Sequence, residues 1–228
     1  GYSQYMDFTS AYYANQKPTI DGKIGEGEWS GTAMAATDAA NWTSNIKDQP
    51  WKGPDDNSLD SLKMMWDEEN LYLMAVVKDD VFVETPTNLN ADVSISSDPA
   101  FYLWQYDSIQ FALEDEYFNV PNRLNYPFAE IGITLGENGP YAYRFSGQKE
   151  LPVGVIENCQ IDVSVAEGEI IYECAIPWSE MRSVGYVPDE NLIYSFAALV
   201  NDSVAENFYE SPFLDFLFVE KEYRNRGI

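Results

Sequence analysis

Apolar residues in this chain come in short runs that alternate with polar positions, and Gly, Pro, Asn and Asp interrupt them at intervals typical of strands joined by turns. In Asp107–Glu114, Ile109, Phe111 and Leu113 alternate with Ser108, Gln110 and Ala112. Because successive side chains of a strand point to opposite faces, this pattern predicts one core face and one small, polar, outward face able to hold a ligand. The same period recurs in Ile131, Ile133 and Leu135, and in Tyr141, Tyr143 and Phe145, on either side of a Gly-Glu-Asn-Gly-Pro turn. Leu71–Val77 is apolar on both faces, and Asp67-Glu68-Glu69-Asn70 joins it to Lys63–Trp66, which predicts a hairpin whose second strand is central and covered on both sides. Gln160–Val165 and Ile170–Ile176 form a further hairpin around Ala166–Glu169, with Ile161, Val163 and Val165 expected opposite Ile170, Tyr172 and Cys174. Ile193–Val200 and Phe213–Val219 supply the last strands, and Asp79–Phe101 is the longest loop region. The pattern predicts an all-β fold, an antiparallel two-sheet β-sandwich, with residues 1–228 as a single domain.

Composition narrows what such a sandwich can do. With 38 acidic against 13 basic residues the net charge is -25, a surface that repels phosphate backbones and anionic lipid headgroups. Nucleic acid and membrane partners are therefore not expected, whereas neutral ligands and cations are. The chain contains no histidine, which removes the Ser-His-Asp triad and His-containing zinc sites. Only two cysteines are present, Cys159 and Cys174, on one parity of neighbouring strands; a disulfide and a pair of buried thiols both remain open. Neither end carries a targeting signal, as expected of a module excised from a larger secreted protein.

Several stretches, in order, point to a family. They are Pro18-Thr19-Ile20-Asp21-Gly22 with Glu28-Trp29, then Met65-Trp66-Asp67-Glu68-Glu69-Asn70-Leu71-Tyr72 running to Lys78-Asp79-Asp80-Val81. Trp104-Gln105-Tyr106-Asp107-Ser108-Ile109-Gln110-Phe111 follows, and then Ala175-Ile176-Pro177-Trp178 and Leu199-Val200-Asn201-Asp202. Over about residues 18 to 203 the chain resembles a family 9 carbohydrate-binding module of the DOMON-like superfamily. The resemblance implies a non-catalytic, extracellular module, often tethered to a plant-polysaccharide hydrolase, that binds neutral xylan- or cellulose-like glycans and carries structural calcium. A monomer tethered to a catalytic or surface-anchoring domain is the expected state.

On that resemblance Trp104 matches a stacking tryptophan at the start of the binding strand, and Gln110 stands where the family hydrogen-bonds sugar hydroxyls. A sugar's C–H face packs on an indole while its hydroxyls need fixed donors and acceptors, so the pair is chemically apt. Glu130 and Gly132 replace an arginine and an asparagine of the family pattern, with Arg144 as a substitute guanidinium and Tyr209, beside Phe208, as the substitute for a second tryptophan. The expected ligand-binding residues are Trp104, Gln110, Glu130, Arg144 and Tyr209, and the expected calcium ligands are Asp21, Asp38 and Asp202. Asp79-Asp80, Asp55-Asp56 with Asp60, and Glu114-Asp115-Glu116 are further acidic groups. Three other functions fit less of the sequence: a glycosidase working through paired carboxylates, a haem-binding electron-transfer domain using methionine ligands such as Met64, Met65 or Met74, and a surface module that has lost sugar binding.

Overall fold

The computed structural model describes residues 11–38, 43–44, 52–87, 95–115, 129–147, 151–182, 188, 194–203 and 213–217. One sheet has six strands: β1 (Tyr12–Tyr13), β2 (Met34–Ala36), β4 (Asn57–Trp66), β5 (Asn70–Asp79), β10 (Gln160–Ala166) and β11 (Glu169–Pro177). Its order is β1-β4-β5-β11-β10, with β2 also paired to β4. The other has seven: β3 (Thr43–Ser44), β6 (Ser108–Asp115), β7 (Ala129–Gly136), β8 (Gly139–Gly147), β9 (Gly154–Val155), β12 (Tyr194–Asn201) and β13 (Phe213–Leu217), in the order β3-β13-β12-β6-β7-β8-β9. The architecture is the expected sandwich; among the described residues its strands pair antiparallel except where the two-residue β1 runs parallel to β4, and an isolated parallel bridge joins Thr85 to Gly136.

The period-two pattern explains the layering. Leu71, Leu73, Ala75 and Val77 of β5 and Ile170, Tyr172, Cys174 and Ile176 of β11 face Ile109, Phe111 and Leu113 of β6 and Ile131 and Ile133 of β7 in one buried core. Each fully buried aliphatic or aromatic side chain there contributes about 1.5–3 kcal/mol relative to exposure. On β4 the inward residues are Leu59, Leu62 and Met64, an offset that a register shift between Leu59 and Ser61 accommodates. The β10–β11 register pairs Ile161 with Cys174, Val163 with Tyr172 and Val165 with Ile170, as the hairpin reading requires. Cys159 and Cys174 are free thiols, and Cys159 donates to the Ile156 carbonyl at 3.1 Å.

The second apolar face of β5 explains a third layer. Tyr72 and Met74 join Met65, Ala175, Ala14 and Trp29 in a second cluster, so the N-terminal segment lies across the outside of this sheet. Buried Glu173 of β11 anchors that segment, accepting hydrogen bonds from Trp29 Nε1 at 2.8 Å and from the Gly22 and Asp21 amides at 2.8 and 3.2 Å. The β4–β5 turn is held by Asp67, which accepts from the Glu69 and Asn70 amides and from the Tyr72 hydroxyl. Trp178 closes the same end through its indole N–H to the Asp67 carbonyl at 2.9 Å.

Candidate functional site

A short 3-10 helix, Pro99–Gln105, precedes β6. Asp98 caps it by accepting the Ala100 amide, and the proline at its first position needs no amide partner there. This helix lies against the outer face of the seven-stranded sheet. Gly132 is what lets it approach: a Cβ at that position would stand 2.7 Å from Leu103 Cδ1 and 2.9 Å from Phe145 Cε2. Phe101 packs edge-on against Tyr143 and Phe145, and the Tyr141 hydroxyl donates to the Ala100 carbonyl. Trp104 therefore rides on the helix rather than on the strand where the sequence reading put it. Its ring is half-buried and tilted 36° from that of Tyr102, 6.3 Å away.

Gln110 and Glu130 occupy the same outer face. Gln110 stands opposite Gly132 and is 8% exposed, and Glu130, half-buried, stands opposite Ala112. Burial pushes the Glu130 carboxyl above its ordinary range, with the Ser146 hydroxyl beside it opposing the shift. Arg144 does not belong to this face. It shares the inward parity of Ala142, opposite Ile131, and it is buried. Its guanidinium bridges the two sheets at their edge, donating to the Glu180 carboxylate and carbonyl at 2.5 and 3.0 Å and to the Pro152 carbonyl at 2.8 Å. The expected substitute guanidinium is thus structural, because the parity that turns Tyr143 outward turns Arg144 in. Tyr209 and Phe208 lie outside the described residues.

At one end of the sandwich Asp79, Asp107 and Asp202 converge, each buried, with one oxygen from each within 4.8 Å of the others. Ser108 pairs with Asn201 in the β6–β12 ladder, so Asp107 and Asp202, the residues just beyond, emerge side by side, while Asp79 ends β5 in the opposite sheet. Asp202 accepts from Asn57 Nδ2 at 2.5 Å, Asp79 from the Val81 amide at 2.8 Å, and Asp107 from the Ser203 amide at 2.7 Å and from the Val83 amide. All three carboxyls are held well above the ordinary range, first by burial and then by neighbouring carboxylates, Asp79 acting on Asp107 and Asp56 on Asp202. Tyr172 reaches toward the group from the core, its hydroxyl raised by burial and by Asp107 and Asp79.

The donor set fits a hard divalent cation. Calcium takes six to eight oxygen ligands, and this group offers carboxylates without nitrogen or sulfur. Asp56, whose charge also bears on Asp79, leaves a buried Oδ2 without a hydrogen-bond partner. Asp202 is thus the one expected calcium ligand that lies in the group. Asp21 and Asp38 are exposed and stand apart; Asp21 instead accepts the Lys23 amide. Asp79 was legible as part of an acidic pair, whereas Asp107 reads in sequence as the first residue of a strand. Only the strand order reveals that it faces Asp202. Met64, Met65 and Met74, the methionines named for haem ligation, are packed in the two apolar clusters.

A sandwich with a half-exposed indole and buried polar groups over one sheet face, and an oxygen-only acidic group at its end, defines a β-sandwich binding module. Residues 20–212 match the family described as carbohydrate family 9 binding domain-like. The chain belongs to that family. It is 26% identical over 187 residues to an endo-1,4-beta-xylanase A of Thermotoga neapolitana and 28% identical over 194 residues to that of Thermotoga maritima. In each case 82% of this chain is covered, and it spans only 14% of the relative's length. The fold also matches a family 9 carbohydrate binding module from Caldicellulosiruptor kristjanssonii in complex with glucose, at TM-score 0.53 and 16% identity, covering 90% of this chain and 83% of that one. The same module in complex with cellotriose matches at TM-score 0.54 and 17% identity, with 90% and 82% covered.

Proposed function

We propose that this chain is a non-catalytic module that holds neutral xylan- or cellulose-like glycan on the outer face of its seven-stranded sheet, outside the cell and tethered to a hydrolase. The observation that carries the reading is the half-buried Trp104 indole presented by a helix laid over a face that also carries Gln110 and Glu130. Trp104 stacks on a sugar C–H face, Gln110 supplies both a donor and an acceptor, and Glu130 accepts from a hydroxyl. Xylanase names among the relatives and the glucose and cellotriose of the matched structures support the ligand class. Calcium is the cation we assign to Asp79, Asp107 and Asp202, with Asp56 and Asn57 beside them. When bound, it supplies the positive charge that lets all three buried carboxylates stay ionised next to one another.

Titration calorimetry against xylo-, cello-, manno- and galacto-oligosaccharides tests the proposal. Binding is expected for the xylo- or cello- series, and Trp104→Ala is expected to weaken it by at least tenfold, equivalent to about 1.4 kcal/mol. Failure to bind any of the four series would overturn the reading. Turnover of any of them by this domain would overturn its non-catalytic part.

A further inference from the structure

The acidic group and the glycan face are joined by two short routes, and both end on the Pro99–Gln105 helix. The first is covalent: Asp107 lies three residues after Trp104 and three before Gln110. Four contacts pin it. Its amide donates to the Val83 carbonyl at 3.3 Å, its carbonyl accepts the Thr134 hydroxyl at 3.0 Å, and its carboxylate accepts the Ser203 and Val83 amides. The second route starts beside Asp202. Asn201 Nδ2 donates to Ser108 Oγ at 2.9 Å, and that hydroxyl lies 3.0 Å from the Leu103 carbonyl and 3.1 Å from the Tyr106 carbonyl, either of which it can donate to. Leu103 is the residue wedged over Gly132, and Tyr106 caps the helix by donating its amide to the Leu103 carbonyl.

Three buried carboxylates this close cannot all remain charged and stay together without a counter-charge. A cation held by all three fixes their separation, and with it the placement of Asp107 and Asp202 and of the carbonyl ends of the helix that carries Trp104. A ligand that prefers one arrangement of this junction therefore changes affinity for a ligand that prefers the same arrangement.

Resting on the glycan-binding reading above, we propose that cation loading at Asp79, Asp107 and Asp202 and glycan binding at the Trp104 face are thermodynamically linked. Asp107 and the Asn201–Ser108–Leu103 chain act as the positioning elements.

The test measures cellotriose and xylotriose affinity by calorimetry in calcium and in chelator, and then calcium affinity with and without saturating trisaccharide. Calcium is expected to tighten trisaccharide binding at least about fivefold, and trisaccharide is expected to tighten calcium binding by the same factor, as linkage demands. Ser108→Ala, which cuts the second route without touching a carboxylate, is expected to keep calcium affinity while reducing the factor. Thermal melts in every arm establish that the protein is folded. Equal trisaccharide affinity with and without calcium overturns the linkage, and a factor unchanged by Ser108→Ala overturns the Asn201–Ser108–Leu103 chain as its positioning element. Absence of a calcium-dependent melting shift overturns the cation assignment and the linkage with it. A calcium-dependent shift with no trisaccharide binding in either arm overturns the glycan reading while leaving the cation assignment standing.

Discussion

Gly132→Ala isolates the contact on which the glycan face depends. The added Cβ meets Leu103 Cδ1 at 2.7 Å and Phe145 Cε2 at 2.9 Å, both inside the shortest separations that such atoms tolerate. The clashing atoms are side-chain ends, but Leu103 is fully buried, so its rotation presses on its neighbours, among them the helix that carries Trp104. Overpacking costs about 1–3 kcal/mol, and two contacts below 3.0 Å place this site in the upper part of that range. The backbone itself accepts alanine, because Gly132 is not among the positive-φ glycines, and replacing a strand glycine returns about 0.5–1 kcal/mol. The net loss is about 1–2.5 kcal/mol, which for a domain of this size lowers the melting temperature by roughly 2–10 °C. Calorimetric melting measures that loss, and tryptophan emission reports movement of Trp104. Leu103→Ala opens a cavity of its own, but combined with Gly132→Ala it should cost less than the sum of the two single losses, because the two substitutions share one space. A melting temperature unchanged to within about 1 °C, or strictly additive effects in the double variant, would refute the claim that the helix is wedged onto Gly132.

Acidity should act on the cation-free protein in an unusual direction. Asp79, Asp107 and Asp202 have folded pKa values raised above the unfolded value of 3.8, the highest to about 9, so the folded state binds more protons and their stabilising contribution is lost as pH rises through that window. In chelator the melting temperature should therefore rise from pH 8 to pH 5, with a shallower slope in Asp202→Asn, and calcium should flatten the profile; a falling profile on acidification in chelator refutes the assignment. Arg144→Leu should lower stability by about 1–3 kcal/mol in chemical denaturation, because Glu180 loses its partner at a partly exposed edge. The same variant should leave trisaccharide affinity unchanged, and a selective loss of affinity would return Arg144 to the glycan face.

Most of the sandwich was legible in the sequence because alternation marks the two faces of a strand, although on β8 the apolar face, Tyr143 and Phe145, turns outward under the Pro99–Gln105 helix. Ile109, Phe111 and Leu113 against Ser108, Gln110 and Ala112 assign the inner and outer faces of β6, and the all-apolar Leu71–Val77 predicts a strand covered twice, as it is by the core and by Trp29. Parity also placed Gln110 and Glu130 on one face. What it could not supply was anything that depends on neighbours distant in the chain. Arg144 alternates with Tyr143 and Phe145 and so reads in sequence as outward, whereas in the fold those aromatics lie under the Pro99–Gln105 helix, Arg144 shares the core side with Ala142, and the Glu180 carboxylate from the end of the opposite sheet makes that burial tolerable. Gly132 reads in sequence as a missing side chain, whereas in the fold it is the floor for Leu103. Asp107 and Asp202 are ninety-five residues apart, and antiparallel pairing of Ser108 with Asn201 sets them side by side. Local pattern fixes direction along and across a strand, because it reflects backbone geometry that every strand shares. Strand order and the contacts across the sandwich decide proximity, and the chemistry of the acidic group and of the Trp104 face lies in proximity.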